Sequence, residues 1–133
     1  MKLTTKSEYS ILALIYIARH QADDFVKIDQ ICSYYDLPKK YLEQLVLTLK
    51  QNRYLKARRG ASGGYRLVKD PKEISIAEVI RLMDGALAPT ESVSTYFYSS
   101  TPLEKESKVL KIFKSIRDYI ASIMENTSLS DLL

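Results

Sequence analysis

The sequence predicts a mainly α-helical chain with one small β-hairpin, and three observations carry that prediction. Apolar residues recur at helical spacing in five separate stretches. A single stretch alternates instead, and it turns on a cluster that holds three of the four glycines, between Gly60 and Gly64. A long apolar seam then runs through Val109, Phe113, Ile116, Ile120 and Ile123. With 46% hydrophobic and 27% charged residues, a chain of 133 can bury a core, which excludes intrinsic disorder.

Taken in order, the apolar run Ile11–Ala18 predicts a first helix buried on several sides, with Thr5 and Glu8 at capping-box spacing. Lys2 and Lys6 before this run give it a superficial likeness to a secretion signal. Arg19 and His20 close it at once, no small-residue cleavage site follows, and eight apolar residues cannot span a bilayer, so the reading is a cytoplasmic protein with no membrane partner. Residues 21–25 form a polar loop. Ile28, Ile31, Cys32 and Tyr35 then mark a short amphipathic helix, a turn follows at Asp36 and Leu37, and Pro38 opens a third helix with the face Leu42, Leu45, Val46 and Leu49. Two helices joined by so tight a turn predict a helix-turn-helix. Tyr54–Arg58 and Tyr65–Val68 pair as the hairpin, and a hairpin directly after a helix-turn-helix is a wing.

Ser75 and Glu78 form a second capping box ahead of a helix that stops at Gly85. Residues 86–101 lack helical period and read as a loop containing Tyr96, Phe97 and Tyr98. Thr101-Pro102-Leu103-Glu104 combines three helix-start signals, which predicts a continuous helix over 102–127 and a tail at 128–133. The organisation expected is therefore a winged helix-turn-helix domain over 1–85, a loop over 86–101 in the position of an effector loop, and a long dimerisation helix. Leu110, Ile112 and Tyr119 add a second apolar strip, suited to a helix that packs both on its own subunit and on a second copy of itself.

The net charge of +4 is concentrated in one place. Residues 38–66 carry eight Lys or Arg against Glu43 alone, while the flanking segments are slightly acidic. A focused basic segment gains from counterion release on a polyanion, and this one covers the third helix and the wing. On that helix Lys39, Lys40, Tyr41, Glu43, Gln44 and Thr48 are the candidate DNA contacts. Gln pairs with adenine, Glu accepts from cytosine, and Lys reaches guanine or phosphate. In the wing, Arg58, Ser62 and Arg66 are placed for phosphates and Arg59 for a narrow minor groove, and Gly60 is a further candidate DNA contact. The leading expectation is a sequence-specific repressor that binds double-stranded DNA. The alternative is a winged-helix adaptor that docks an acidic protein through the same face.

One cysteine and one histidine exclude a zinc finger or a disulfide framework. His20 has no evident partner for catalysis, and the glycine cluster is followed by Tyr65-Arg66 rather than the Lys-Ser or Lys-Thr of a phosphate-binding loop, so no enzyme is expected. Cys32, on an apolar face, reads as a small buried hydrophobe rather than a redox switch. The aromatic trio Tyr96, Phe97 and Tyr98 either covers the long helix or lines an effector site.

The run Tyr41-Leu42-Glu43-Gln44-Leu45, the wing Arg59-Gly60-x-x-Gly63-Gly64-Tyr65, the helix Ile74-x-x-x-Glu78-Val79-Ile80 and the opening Leu3-Thr4-x-Lys6-x-x-Tyr9 together resemble the Rrf-two family of bacterial winged-helix transcription regulators. The resemblance spans essentially the whole chain. It implies a homodimer held by the final helix on an inverted repeat, with Lys40, Glu43 and Gln44 reading bases and Arg59 entering the minor groove. Cluster-binding members of that family carry three cysteines in the loop before the long helix. Here Ala88–Leu103 contains none, so the chain resembles the cluster-free branch and no iron–sulfur cofactor is expected.

Overall fold

The helices and the hairpin follow one another as α1 (Thr5–His20), α2 (Ile28–Tyr35), α3 (Lys39–Gln51), β1 (Leu55–Arg58), β2 (Gly64–Leu67), α4 (Ile76–Asp84) and α5 (Ser107–Glu125). The computed structural model describes residues 1–22 and 24–133. Asp23, inside the polar loop expected at 21–25, lies outside the described residues. The fold is a winged helix-turn-helix with a long C-terminal helix.

Helix α1 runs through the centre, with Ala13, Leu14 and Ile17 fully buried and neighbours in α3, α4 and β2. The main core joins these residues to Ile31 of α2, Leu42, Val46 and Leu49 of α3, Leu55 and Leu67 of the hairpin, and Val79 of α4. Each fully buried leucine contributes about 1.5–3 kcal/mol, so the helix-turn-helix and the wing are fixed to one common frame. A second, smaller cluster of Ile76, Ala77, Ile80 and Leu87 packs against Ile120 and Met124 of α5. That cluster joins α5 to the rest of the chain.

The start of α1 differs from the capping box expected at Thr5 and Glu8. Thr4 is the cap, and its hydroxyl accepts the Lys6 N–H (3.2 Å), while the Thr5 hydroxyl is hydrogen-bonded to that of Tyr41 (3.0 Å). Asp84, at the end of α4, draws Thr4 into extended backbone. Its carboxylate accepts the Thr4 N–H (2.8 Å), the Thr4 hydroxyl (2.5 Å) and the Ser7 hydroxyl (2.6 Å). Burial pushes the Asp84 carboxyl up, but the Ser7 and Thr4 hydrogen bonds and the nearby Lys6 charge outweigh it, and its pKa lies below the usual aspartate value.

The final helix also starts later than its sequence signals suggest. Pro102–Lys105 form a separate 3-10 turn, the Thr101 hydroxyl makes no cap, and α5 begins at Ser107 after a break at Glu106 (φ −113°, ψ 85°). Glu104 is engaged elsewhere: its carboxylate accepts the hydroxyls of Tyr98 (2.6 Å) and Ser100 (2.7 Å), so it is not available to complete a capping box. At the other end, residues 128–133 are no loose tail. Ser128 and Asp131 cap a 3-10 turn, Leu129 is buried, and backbone bonds run from Ile76 N–H to Thr127 (3.0 Å) and from Leu129 N–H to Ile74 (2.8 Å).

The Asp84 hub gives a pH prediction. A carboxyl whose native pKa lies below its unfolded value contributes stability above the unfolded pKa and loses it as the pH falls through the native one. Asp84→Asn is expected to cost about 1–3 kcal/mol in urea unfolding near neutral pH. That deficit should shrink as the pH drops through and below the ordinary aspartate range. A deficit that stays constant with pH would separate Asp84 from the acid limb.

Candidate nucleic-acid interface

The turn between α2 and α3 is built by Asp36, which takes the left-handed conformation (φ 56°, ψ 54°), while the Leu37 N–H bonds back to the Cys32 carbonyl (3.0 Å). This aims α3 so that Leu42, Leu45, Val46 and Leu49 face the core and Lys39, Lys40, Glu43 and Gln44 face outward. Leu47 shares the outward side and is 50% exposed. A bare leucine beside Glu43 and Gln44 is a contact suited to a thymine methyl. Sequence reading missed it, although its place off the Leu42-Leu45-Val46-Leu49 row was a visible signal.

Not every candidate on α3 is free. Lys39 is paired with Asp29 of α2 (2.9 Å), whose hydrogen bond and charge raise the ammonium's pKa. Both side chains are more than half exposed, and a phosphate could replace such a partner. Thr48 donates its hydroxyl to the Gln44 carbonyl (3.1 Å). Tyr41 is turned towards α1, half-buried, with its ring edge-on to Tyr9 at 5.8 Å between centroids.

The wing pairs Leu55 with Leu67, Lys56 with Arg66, Ala57 with Tyr65 and Arg58 with Gly64. Leu55 and Leu67 point into the core, so Lys56, Arg58 and Arg66 share the opposite face. The linker before α2 extends this ribbon. Val26 and Tyr65 exchange two backbone hydrogen bonds (2.9 and 2.7 Å), which sets Phe25 beneath the wing arginines, 4.3 Å from the Arg58 guanidinium and 5.5 Å from that of Arg66. At the tip the Gly63 N–H bonds to the Gly60 carbonyl (3.0 Å), and Gly60 takes φ 98°. Ser62 and Arg59 stand exposed at this turn. Asp24 and Phe25 were not among the sequence candidates, because nothing local links a linker residue to a hairpin more than thirty positions on, and neither was Asp29, whose partner Lys39 lies on the next helix.

Beyond the wing, Tyr96, Phe97 and Tyr98 are 68%, 45% and 60% exposed; Tyr96 and Phe97 border a small cleft with Arg117, Asp118 and Ala121 of α5, and Tyr96 lies under the Arg81 guanidinium (4.6 Å). Cys32 is half-buried, and burial followed by the Asp29 charge raises its thiol pKa. The loop over 88–103 has no cysteine, and no group of three His, Cys, Asp or Glu side chains among the described residues could hold a metal ion. The donor set of this loop does not fit an iron–sulfur cluster. Among the described residues, no helix is long and apolar enough to cross a membrane.

The Rrf2 family profile, described as "Iron-dependent Transcriptional regulator", matches residues 3–133. The chain belongs to the Rrf2 family. Among the relatives of this Rrf2 regulator, CymR of Bacillus subtilis is 30% identical over 132 residues, covering 99% of this chain and 89% of the relative. IscR of Photorhabdus laumondii is 37% identical over 90 residues, covering 68% and 55% respectively. The solved structure titled as the global cysteine regulator CymR of B. subtilis superposes with a TM-score of 0.80 at 30% identity, covering 99% of this chain and 95% of that one. T. potens IscR gives 0.71 at 27%, covering 99% and 85%. The matched relatives are transcriptional regulators, not enzymes.

In this Rrf2 regulator the wing depends on a close approach at Gly64. A Cβ there would lie 2.5 Å from the Val26 carbonyl oxygen, and its φ of 144° strains any L side chain. Gly64→Ala is expected to cost about 1–3 kcal/mol and to open the pairing between linker and wing. Amide hydrogen exchange should show this as faster exchange at Val26 and Tyr65 while α1 stays protected.

Proposed function

We propose that this Rrf2 regulator is a sequence-specific DNA-binding repressor, acting in the cytoplasm as a homodimer on an inverted repeat without an iron–sulfur cluster. One observation carries the reading: Lys39 and Glu43 of α3 border one cleft with Gly60 and Gly63 of the wing tip, and the exposed Lys40, Gln44, Leu47 and Arg59 belong to the same helix and wing, inside the one strongly basic segment of the chain. Lys40, Glu43 and Gln44 read base edges in the major groove, and Arg59 enters the adjoining minor groove. Lys39, Arg66 and Ser62 face phosphates, where Lys39 exchanges Asp29 for the backbone of the duplex.

The second copy covers α5. Val109, Ile112, Ile116, Tyr119 and Ile123 follow at spacings of 3, 4, 3 and 4, and all are between 37% and 70% exposed. Ile120 packs on its own subunit and Phe113 is half-buried, so the free row turns slightly from the seam read in the sequence towards Ile112 and Tyr119. Such a row matches one self-complementary face of a two-fold dimer. The loop over 86–101 is the place where an effector would act, next to this face.

Fluorescence anisotropy against a duplex selected from a randomised pool, beside a shuffled duplex and over a salt series, tests the proposal. A specific reader is expected to prefer the selected duplex by at least about a hundredfold, with a steep salt slope. Equal, weak binding to both duplexes would favour an adaptor that docks an acidic protein. Glu43→Ala is expected to relax the preference while keeping or raising affinity for the shuffled duplex, because an acid near phosphates opposes binding everywhere except at its cognate base. Ile116→Asp is expected to weaken self-association at least about thirtyfold in sedimentation, as loss of a central apolar anchor does. A dimer left intact would place the interface elsewhere.

A further inference from the structure

Arg58 carries the same charge as Arg59, but its surroundings are different. Its Nε–H donates to the Ser62 carbonyl (3.1 Å), its Nη2 reaches the Asp24 carboxylate (2.5 Å), and its guanidinium stacks on Phe25 (4.3 Å). The Ser62 carbonyl belongs to the glycine turn at the wing tip, while Asp24 and Phe25 belong to the linker before α2. One guanidinium therefore ties the tip of the hairpin to a segment that the Val26–Tyr65 backbone pairing already holds in place. Arg59, the next residue, makes no ion pair or hydrogen bond among the described residues.

We propose that Asp24 and Phe25 form a latch on Arg58 that sets the aim of the wing, so that Arg58 is a positioning residue and Arg59 is the guanidinium presented to DNA. The DNA part of this inference rests on the function proposed above; the latch itself does not. The Asp24–Arg58 pair is about half exposed on both sides and adds little to global stability. Its effect is local. A two-stranded ribbon is free to swing about its base, and the latch removes that freedom at the tip, where an error in angle displaces Arg59 most. Asp24 also neutralises Arg58, which lowers the attraction of the wing for arbitrary phosphates while leaving Arg59 charged. The latch thus favours a site whose minor groove suits Arg59 over duplex in general.

Two measurements on the full chain test it. The first needs no DNA: nitrogen-15 NMR of the arginine guanidinium N–H groups. In the wild-type chain the Arg58 N–H groups are expected to exchange with solvent more slowly than those of Arg59. Asp24→Asn should speed exchange of the Arg58 Nη2–H group, which donates to Asp24, roughly tenfold for the loss of one charge-assisted hydrogen bond; Phe25→Leu should speed it by freeing the guanidinium from the ring, and Asp24→Glu should keep part of the protection. Equal exchange at Arg58 and Arg59, or no change in Asp24→Asn, overturns the latch. The second uses the selected duplex with A·T-rich or G·C-rich flanks. Asp24→Asn is expected to bring the ratio of the two affinities towards one while affinity for a shuffled duplex stays level or rises. Arg58→Gln is expected to lose the same flank preference with the salt slope kept. A salt slope smaller by about one with the flank preference intact would make Arg58 a phosphate contact and overturn its positioning role. Failure of the wild-type chain to bind any duplex selectively would count against the proposed function, and the NMR result would still decide the latch.

Discussion

The burial of α1 is the constraint on which the rest of the structure depends. Ala13, Leu14 and Ile17 are fully enclosed, and the elements that enclose them are the two that present the basic face, α3 and the wing, together with α4. Because all of them rest on one helix, their relative positions are set by side-chain packing. A close-packed core of this kind deforms little under load, so the spacing between the outward row of α3 and the base of the wing, at Leu55 and Leu67, is held by the same contacts that hold the fold. Asp84 fixes the remaining degree of freedom at the start of that helix by gathering Thr4 and Ser7.

On this frame, the charge is arranged in two tiers. Some cations are already partnered, as Lys39 is by Asp29, Arg58 by Asp24 and Arg81 by Glu125 across the gap between α4 and α5. Lys40 and Arg59 are exposed and have no ion pair among the described residues. A face on which every cation was unpaired would bind polyanions strongly and with little discrimination. Acidic partners from neighbouring elements lower that undirected attraction at Lys39 and Arg58.

Much of this was legible in the sequence. One unbroken apolar run, three amphipathic stretches, one alternating stretch and a glycine-rich tip were enough to place α1 to α4 and the wing, because each signal is local. The polar row of α3 was legible for the same reason. What was not legible depends on contacts between segments distant in the chain. The Thr5 and Glu8 spacing suggested a cap that Asp84 and Tyr41 displaced by one residue. The start signals at Thr101 lost Glu104 to Tyr98 and Ser100. The part of the linker in wing geometry had no signal at all, since neither Asp24 nor Phe25 carries a pattern that points to Arg58.

The turn that follows α5 has a consequence for how the chain comes together in time. Leu129 fills a space beside Ile74, and its backbone completes a bridge that begins between Ser75 and Ser128. Ribosomes make a chain from its N-terminus, so Leu129 is synthesised after everything it covers. A nascent chain that has already formed its helix-turn-helix and wing still exposes the apolar bed around Ile74 until this last plug arrives. Packing of the half that carries the basic face is thereby tied to completion of α5 and of the turn that follows it, and a nascent chain short of Leu129 leaves that apolar bed uncovered.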